Sequence, residues 1–144
     1  MRNECLIGYM RQIVSLTDQY ITKRLKEEDL SLSSAHIPLF YILPQDGSPM
    51  LFNEIVEIWN KSKSTLSDIV TKYVESGLVQ RCECADDKRN VYVSMTPKAL
   101  QILDDLGNIG QEISGKLFED LNEKDVESFY ISVDKMLNNG RKML

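Results

Sequence analysis

Residues 60–97 read NKSKSTLSDIVTKYVESGLVQRCECADDKRNVYVSMTP, and the order of their parts decides the fold. A polar turn leads into a helix, a strand, a charged tip, a return strand and the start of another helix. Over residues 62–76 the apolar side chains Leu66, Ile69, Val70, Tyr73 and Val74 recur at steps of three and four, which makes one face of a helix. Between them lie Ser62, Lys63, Ser64, Thr65, Ser67, Asp68 and Lys72, mostly in the first two turns. Gly77 ends the helix, because glycine takes a left-handed cap without strain. Residues 78–84 favour a strand, and residues 85–90 form a tip that carries Asp86, Asp87, Lys88 and Arg89. Residues 91–95 alternate, with Val91, Val93 and Met95 on one side and Tyr92 and Ser94 on the other. Thr96 followed by Pro97 is a helix start: a hydroxyl N-cap, then proline at the first helical position.

The polar face of the helix suits a groove of nucleic acid. Small hydroxyls let the backbone approach closely, and lysines meet phosphates. Taken singly, each piece is an ordinary helix or hairpin with solvated charges. In this order and spacing, the segment resembles the winged helix-turn-helix of the MarR family of bacterial transcription regulators. SKSTLSDIV resembles that family's recognition helix. ESGLVQR, then five residues, then DKR and VYVSMT resemble its strand, wing and return strand, with no insertion between Gly77 and Arg89. The likeness extends, more weakly, over nearly the whole chain. It implies a mainly α fold with a small β-hairpin wing, in one domain over residues 1–144. The winged helix-turn-helix core is expected over about 34–96, with long dimerisation helices over about 3–29 and 97–143.

The remaining sequence fits that frame. Residues 3–28 read as a long helix striped by Leu6, Met10, Ile13, Val14, Tyr20, Ile21 and Leu25. The next helix is expected over about 34–43 with Ser33 as N-cap; Pro38, near the end of its first turn, removes a backbone bond or kinks the start. LSSAHIPLFYIL resembles the family's second helix, where glutamine often stands in place of His36 and proline is not usual. PQDGSP at 44–49 is a turn. Residues 51–59 read as the first helix of the helix-turn-helix. Asn60 holds the turn position where the family usually has glycine, and asparagine is the next best residue for a left-handed turn. Lys61 stands where an apolar residue is common, which passes packing to Trp59. A second long helix is expected over 97–120, carrying Leu100, Leu103, Leu106, Ile109, Ile113 and Leu117 at near-heptad steps, although Gly107, Gly110 and Gly115 weaken it. Asn122 and Asp125 form a capping pair for a last helix from Glu123 to Leu137 or beyond. These three terminal amphipathic helices exceed what a small winged core needs, so a homodimer is expected.

With 144 residues, 42% hydrophobic and 27% charged, the chain can bury one real core and is neither disordered nor fibrous. No apolar run is long enough for a membrane span, and the start MRNECLIGYM shows no cleavage site, so a cytoplasmic location is expected. Three cysteines argue against a disulfide framework, and a single histidine against a Cys/His zinc cluster or a histidine-based triad. With no phosphate-cradling glycine loop either, neither an enzyme nor a cofactor or metal is expected. The net charge of −5 opposes nucleic-acid binding at first sight. Its distribution softens that: acids crowd residues 104–134, whereas residues 61–89 are near even.

The resemblance implies a dimeric, sequence-specific regulator whose two recognition helices enter successive major grooves of a near-palindromic operator in double-stranded DNA. The expected role is repressor, released by a small-molecule or oxidative signal that changes the spacing of the two heads. DNA contacts fall on Lys61, Ser62, Lys63, Ser64, Thr65, Ser67 and Lys72, with Asp87, Lys88 and Arg89 on the wing. In the family the wing aspartate orients an arginine that reaches the minor groove, here Asp87 and Arg89. Ser62 is also the natural N-cap of the helix. Cys5, four residues before Tyr9, is similar in placing to the one-cysteine peroxide-sensing branch of the family, but Ser34 and Ile37 stand where that branch has tyrosines. The other reading of Cys5 is a cysteine packed in a helical interface. Cys82 and Cys84 share a strand face and admit either a thiolate pair or ordinary packing. The alternative for the whole chain is a winged-helix protein-interaction module without DNA binding, favoured by the net acidity and Asp68.

Overall fold

The structure, a computed structural model, describes residues 5–83 and 89–144. It contains α1 (Leu6–Glu27), a 3-10 turn (Ser34–His36), α2 (Ile37–Ile42), β1 (Met50–Leu51), α3 (Phe52–Trp59), α4 (Lys63–Glu75), β2 (Val79–Glu83), β3 (Val91–Met95), α5 (Pro97–Leu117) and α6 (Glu123–Lys142). The chain forms two compact units, one reaching to Ile109 and the other running from Gly110 to Leu144.

In the first unit, the core is where one face of α4 meets everything else. Leu66, Ile69, Val70 and Tyr73 are buried with Leu39, Phe40 and Leu43 near α2, Ile55 of α3, and Leu78, Val79, Val93 and Met95 of the sheet region. Burying side chains of this size contributes about 1.5–3 kcal/mol apiece. Val74 was expected on the same face but is 39% exposed. It lies at the rim, one helical step from the centre of the buried stripe.

Both ends of α4 have identifiable causes. Asn60 is left-handed at φ 54°, as its place in the turn requires, and Ser62 caps the helix by accepting the Thr65 N–H at 3.1 Å. At the other end, Gly77 at φ 76° lets its own N–H reach the Val74 carbonyl while the Leu78 N–H reaches that of Tyr73. This paired closure turns the chain back sharply enough for β2 to run alongside the helix it has just left.

The sheet has three antiparallel strands in the order β1-β3-β2. The β2–β3 hairpin matches the expected wing strands, with Val79 opposite Met95 and Glu83 opposite Val91. The strand β1, with Met50 opposite Val93, lies where the sequence reading began a helix at Leu51. A two-residue strand is too short to show any alternation, and its pairing is set by β3 rather than by its own residues. The helix expected over 34–43 is split. Pro38 has no N–H for the Ser34 carbonyl, which accepts the Ile37 N–H instead, so the turn tightens to 3-10 before α2 begins. Ser33 makes no side-chain cap there; its N–H goes to the Tyr73 hydroxyl at 3.2 Å.

Thr96 joins the hairpin to α5. Its hydroxyl donates to the Gly77 carbonyl at 2.7 Å and accepts the Ala99 N–H at 3.3 Å, while its own N–H reaches the Leu78 carbonyl. One side chain thus caps α5 and fastens it to the turn after α4.

The second unit holds the last part of α5 and all of α6, with Phe118 just past the end of α5 set edge-on to two rings of α6. Phe118 lies 5.5 Å from Phe129 and 5.7 Å from Tyr130 between ring centroids. Asn122 caps α6 by accepting the Asp125 N–H at 2.9 Å, as its spacing indicates. None of the residues of α6 is buried. Among the described residues, no helix is long and apolar enough to cross a membrane.

Thr96→Val keeps the size of this side chain and removes every hydroxyl contact. It is expected to lower stability by about 1–2 kcal/mol in a urea titration. An unchanged midpoint would show that the Thr96 hydroxyl holds nothing together.

Candidate nucleic-acid interface

Because α4 buries Leu66, Ile69, Val70 and Tyr73, the residues half a turn away face water. Ser64, Asp68 and Thr71 are exposed and Ser67 is partly exposed. Lys63 flanks this face on one side, and Thr65 and Lys72 on the other, all exposed. Ser62 is exposed but committed: besides capping the helix, its hydroxyl donates to Thr65 Oγ1 at 2.8 Å. The cap reading therefore holds for Ser62, and Thr65 is tied to it. Ser64 and Ser67 are the serines of the set that stand on the outer face.

The cations are individually placed. Lys61 Nζ lies 5.0 Å above the Trp59 ring, and Trp59 in turn packs on the core. Lys72 Nζ lies 5.5 Å from the centre of the Tyr73 ring. Such contacts on an open surface are worth about 0.5–1 kcal/mol, enough to bias a lysine and too little to hold it back from a phosphate. Arg81 of β2, which the sequence reading did not assign to the site, donates to the Ser67 carbonyl at 3.3 Å and to Thr71 Oγ1 at 3.1 Å. It pins the strand to the middle of α4. With Lys63, Ser64, Ser67 and Glu83 it lines a shallow cleft between α4 and the hairpin. Thr71 is the other residue missed. Once Gly77 is known to reverse the chain, Arg81 returns beside Thr71, but no local spacing announces a pair ten residues apart.

On the wing, Arg89 is exposed in the turn before β3. Asp87 and Lys88 lie outside the described residues, as does Cys84. Cys82 is exposed on β2 rather than packed, and Cys5 is exposed at the left-handed N-cap of α1. A side chain at Gly8 would press on Cys5, since a Cβ there would stand 2.8 Å from Cys5 Sγ. Among the described residues, no three His, Cys, Asp or Glu side chains gather as a metal site.

Behind the outer face, His36 Nδ1 lies 2.8 Å from the Tyr73 hydroxyl. Burial, then the charges of Lys72 and Lys61, hold the imidazole below its ordinary value of 6.5. A depressed histidine favours the neutral form in the fold. The corresponding stability is present above pH 6.5 and is lost as pH falls through the folded-state value.

Residues 28–90 match the model of the MarR family. A 52-residue stretch is 36% identical to YhjH of Bacillus subtilis, described as an uncharacterized HTH-type transcriptional regulator; it takes in 36% of this chain and only 30% of that one. Among solved structures, a MarR transcriptional regulator from Methanosarcina mazei superposes with a TM-score of 0.86 at 21% identity, covering 98% of this chain and 99% of that one. A mutant of Escherichia coli MarR in complex with operator DNA gives 0.76 at 19% identity, covering 92% of this chain and 93% of that one. The Staphylococcus aureus MepR–DNA complex gives 0.75 at 21%, covering 93% of this chain and 97% of that one.

Ser62→Ala and Ser64→Ala separate the two roles on one helix. The first is expected to cost about 1 kcal/mol of stability as a lost cap, the second within about 0.5 kcal/mol of nothing. Equal losses in thermal unfolding would mean that Ser62 is not the cap.

Proposed function

We propose that this chain, whose residues 28–90 match the MarR family model, is a dimeric, sequence-specific DNA-binding transcription regulator of that family, acting as a repressor. The observation that carries this reading is the outer face of α4. It presents Ser64, Ser67 and Thr71 between Lys63 and Lys72, with Arg81 bracing the helix against a hairpin whose tip carries exposed Arg89. The small hydroxyls reach base edges or phosphates, and the lysines neutralise phosphates. Arg89, with Asp87 and Lys88 beside it in sequence, reaches the minor groove. The similar structures solved with DNA support the same partner for this chain.

A second copy covers the apolar surface at the chain's two ends. On α1, Leu6, Ile7, Met10, Ile13 and Val14 are between 47% and 65% exposed, and on α6 Phe129, Tyr130, Ile131 and Leu137 are about half exposed. Single chains rarely leave this much apolar helix surface in water. A two-fold pair would set the two α4 helices about one DNA turn apart, roughly 34 Å. An effector ligand or an oxidative signal, for which Cys5 is the candidate sensor, then acts by favouring another spacing.

Binding to DNA from beside the chain's own gene is expected to weaken steeply with salt. Lys63→Ala should reduce the slope of log affinity against log salt by about 1, and Arg89→Ala should weaken binding by about tenfold or more with the fold intact. Fluorescence anisotropy at several salt concentrations reads both. No binding at low ionic strength would turn the reading toward a protein-interaction module.

Sedimentation should give twice the 16.5 kDa chain mass at micromolar concentration, and Ile13→Glu combined with Leu137→Glu should shift it toward one. A strictly monomeric wild type would remove the two-headed mechanism.

A further inference from the structure

Tyr73 is fully buried at 0% exposure, yet its hydroxyl carries two contacts to a distant part of the chain. It accepts the Ser33 N–H at 3.2 Å and lies 2.8 Å from His36 Nδ1. One oxygen thereby ties the third turn of α4 to the corner where the 3-10 turn enters α2. The rings agree with this placing: His36 and Phe40 both meet Tyr73 edge-on, at 5.6 and 5.2 Å between centroids.

The hydrogen count decides the chemistry. The Ser33 N–H can only donate, so the phenol accepts from it and its own proton needs an acceptor. His36 Nδ1 is that acceptor only when the imidazole is neutral and carries its proton on Nε2. A protonated imidazole makes Nδ1 a donor. The Tyr73 oxygen then faces two donors, and its own proton loses its acceptor in a buried place, where a stranded polar group is costly.

We propose that His36 is a positioning residue for α4: neutral, with its proton on Nε2, it holds the Tyr73 hydroxyl and seats the helix for DNA, and protonation unseats it. This rests on the reading of α4 as the DNA-contacting helix. The charges acting on His36 are Lys72 of α4 and Lys61 of the α3–α4 loop, both positive, and both oppose protonation as burial does. Of the helices packed on the 3-10 turn, α2 carries no charged side chain, and α1 meets it through the Thr22 hydroxyl at Ser34 Oγ, 3.5 Å away. A rival effect has the opposite sign. Phosphates drawn to Lys61 and Lys72 would welcome a His36 cation, and acidification would then tighten binding.

His36 is the only histidine of the chain, so a pH dependence that His36→Gln abolishes belongs to this side chain. Two measurements test the proposal. Nitrogen NMR of the free protein reads the imidazole tautomer. Anisotropy at constant ionic strength reads operator affinity from pH 7 to 5.5, with circular dichroism confirming the fold at each point. The expected results are the Nε2–H tautomer and a loss of affinity of about fivefold or more toward pH 5.5. His36→Gln, whose amide oxygen accepts without titrating, should bind as the wild type does at pH 7 and stay flat. Tyr73→Phe should weaken binding with the salt slope unchanged, since no phosphate contact is removed. Parallel pH profiles for wild type and His36→Gln, a rise on acidification, or an Nδ1–H tautomer would each overturn the proposal. If the expected tautomer is found but no form binds DNA at any pH, the regulator reading fails first, and this inference with it.

Discussion

Everything in the first unit depends on burying one side of α4. Leu66, Ile69, Val70 and Tyr73 turn inward against α2, α3 and the sheet. A helix advances about 100° per residue, so this choice sends Ser64, Ser67, Asp68 and Thr71 outward without any further instruction. The face proposed to meet DNA is the remainder of the packing, not a separate construction. Its rigidity is the rigidity of the core behind it. Gly77 extends the same constraint to the wing: the left-handed turn lays β2 along α4, and Arg81 and Thr96 then fasten strand and following helix to it.

How much of this could be read from the sequence follows from the range of each signal. The α4 stripe apart from Val74 at its rim, the Ser62 cap, the Asn60 and Gly77 turns, the alternation of β3 and the Asn122 cap are local, and each is found where its spacing places it. Features decided by a distant partner were not legible. Met50 and Leu51 are a strand only because β3 offers them an edge. Arg81 belongs to the site only because the Gly77 turn brings it back to Thr71. Ser33 looked like an N-cap by residue type, yet its N–H is taken by a phenol forty residues away. Pro38 was legible as a disturbance, and the structure shows its form: a carbonyl left without its usual donor tightens one turn.

The acidic balance of the chain and its exposed apolar helices bear on each other. Charges are screened beyond about 8–10 Å in ordinary salt, so the net charge of −5 matters less than the charges on the reading face. There, Lys61, Lys63, Lys72 and Arg89 stand against Asp68 and Glu83, and Arg81 is already engaged with Ser67 and Thr71. A single head with cations this sparse neutralises only a few phosphates and binds weakly. Two such heads on one frame bind far more tightly than either alone, because the second contact is made at the effective concentration set by the first. In the proposed dimer, the apolar faces of α1 and α6 are thus part of the reading apparatus. A weak head can also be released by a modest change of spacing, since losing the simultaneous engagement of the pair removes most of the affinity at once.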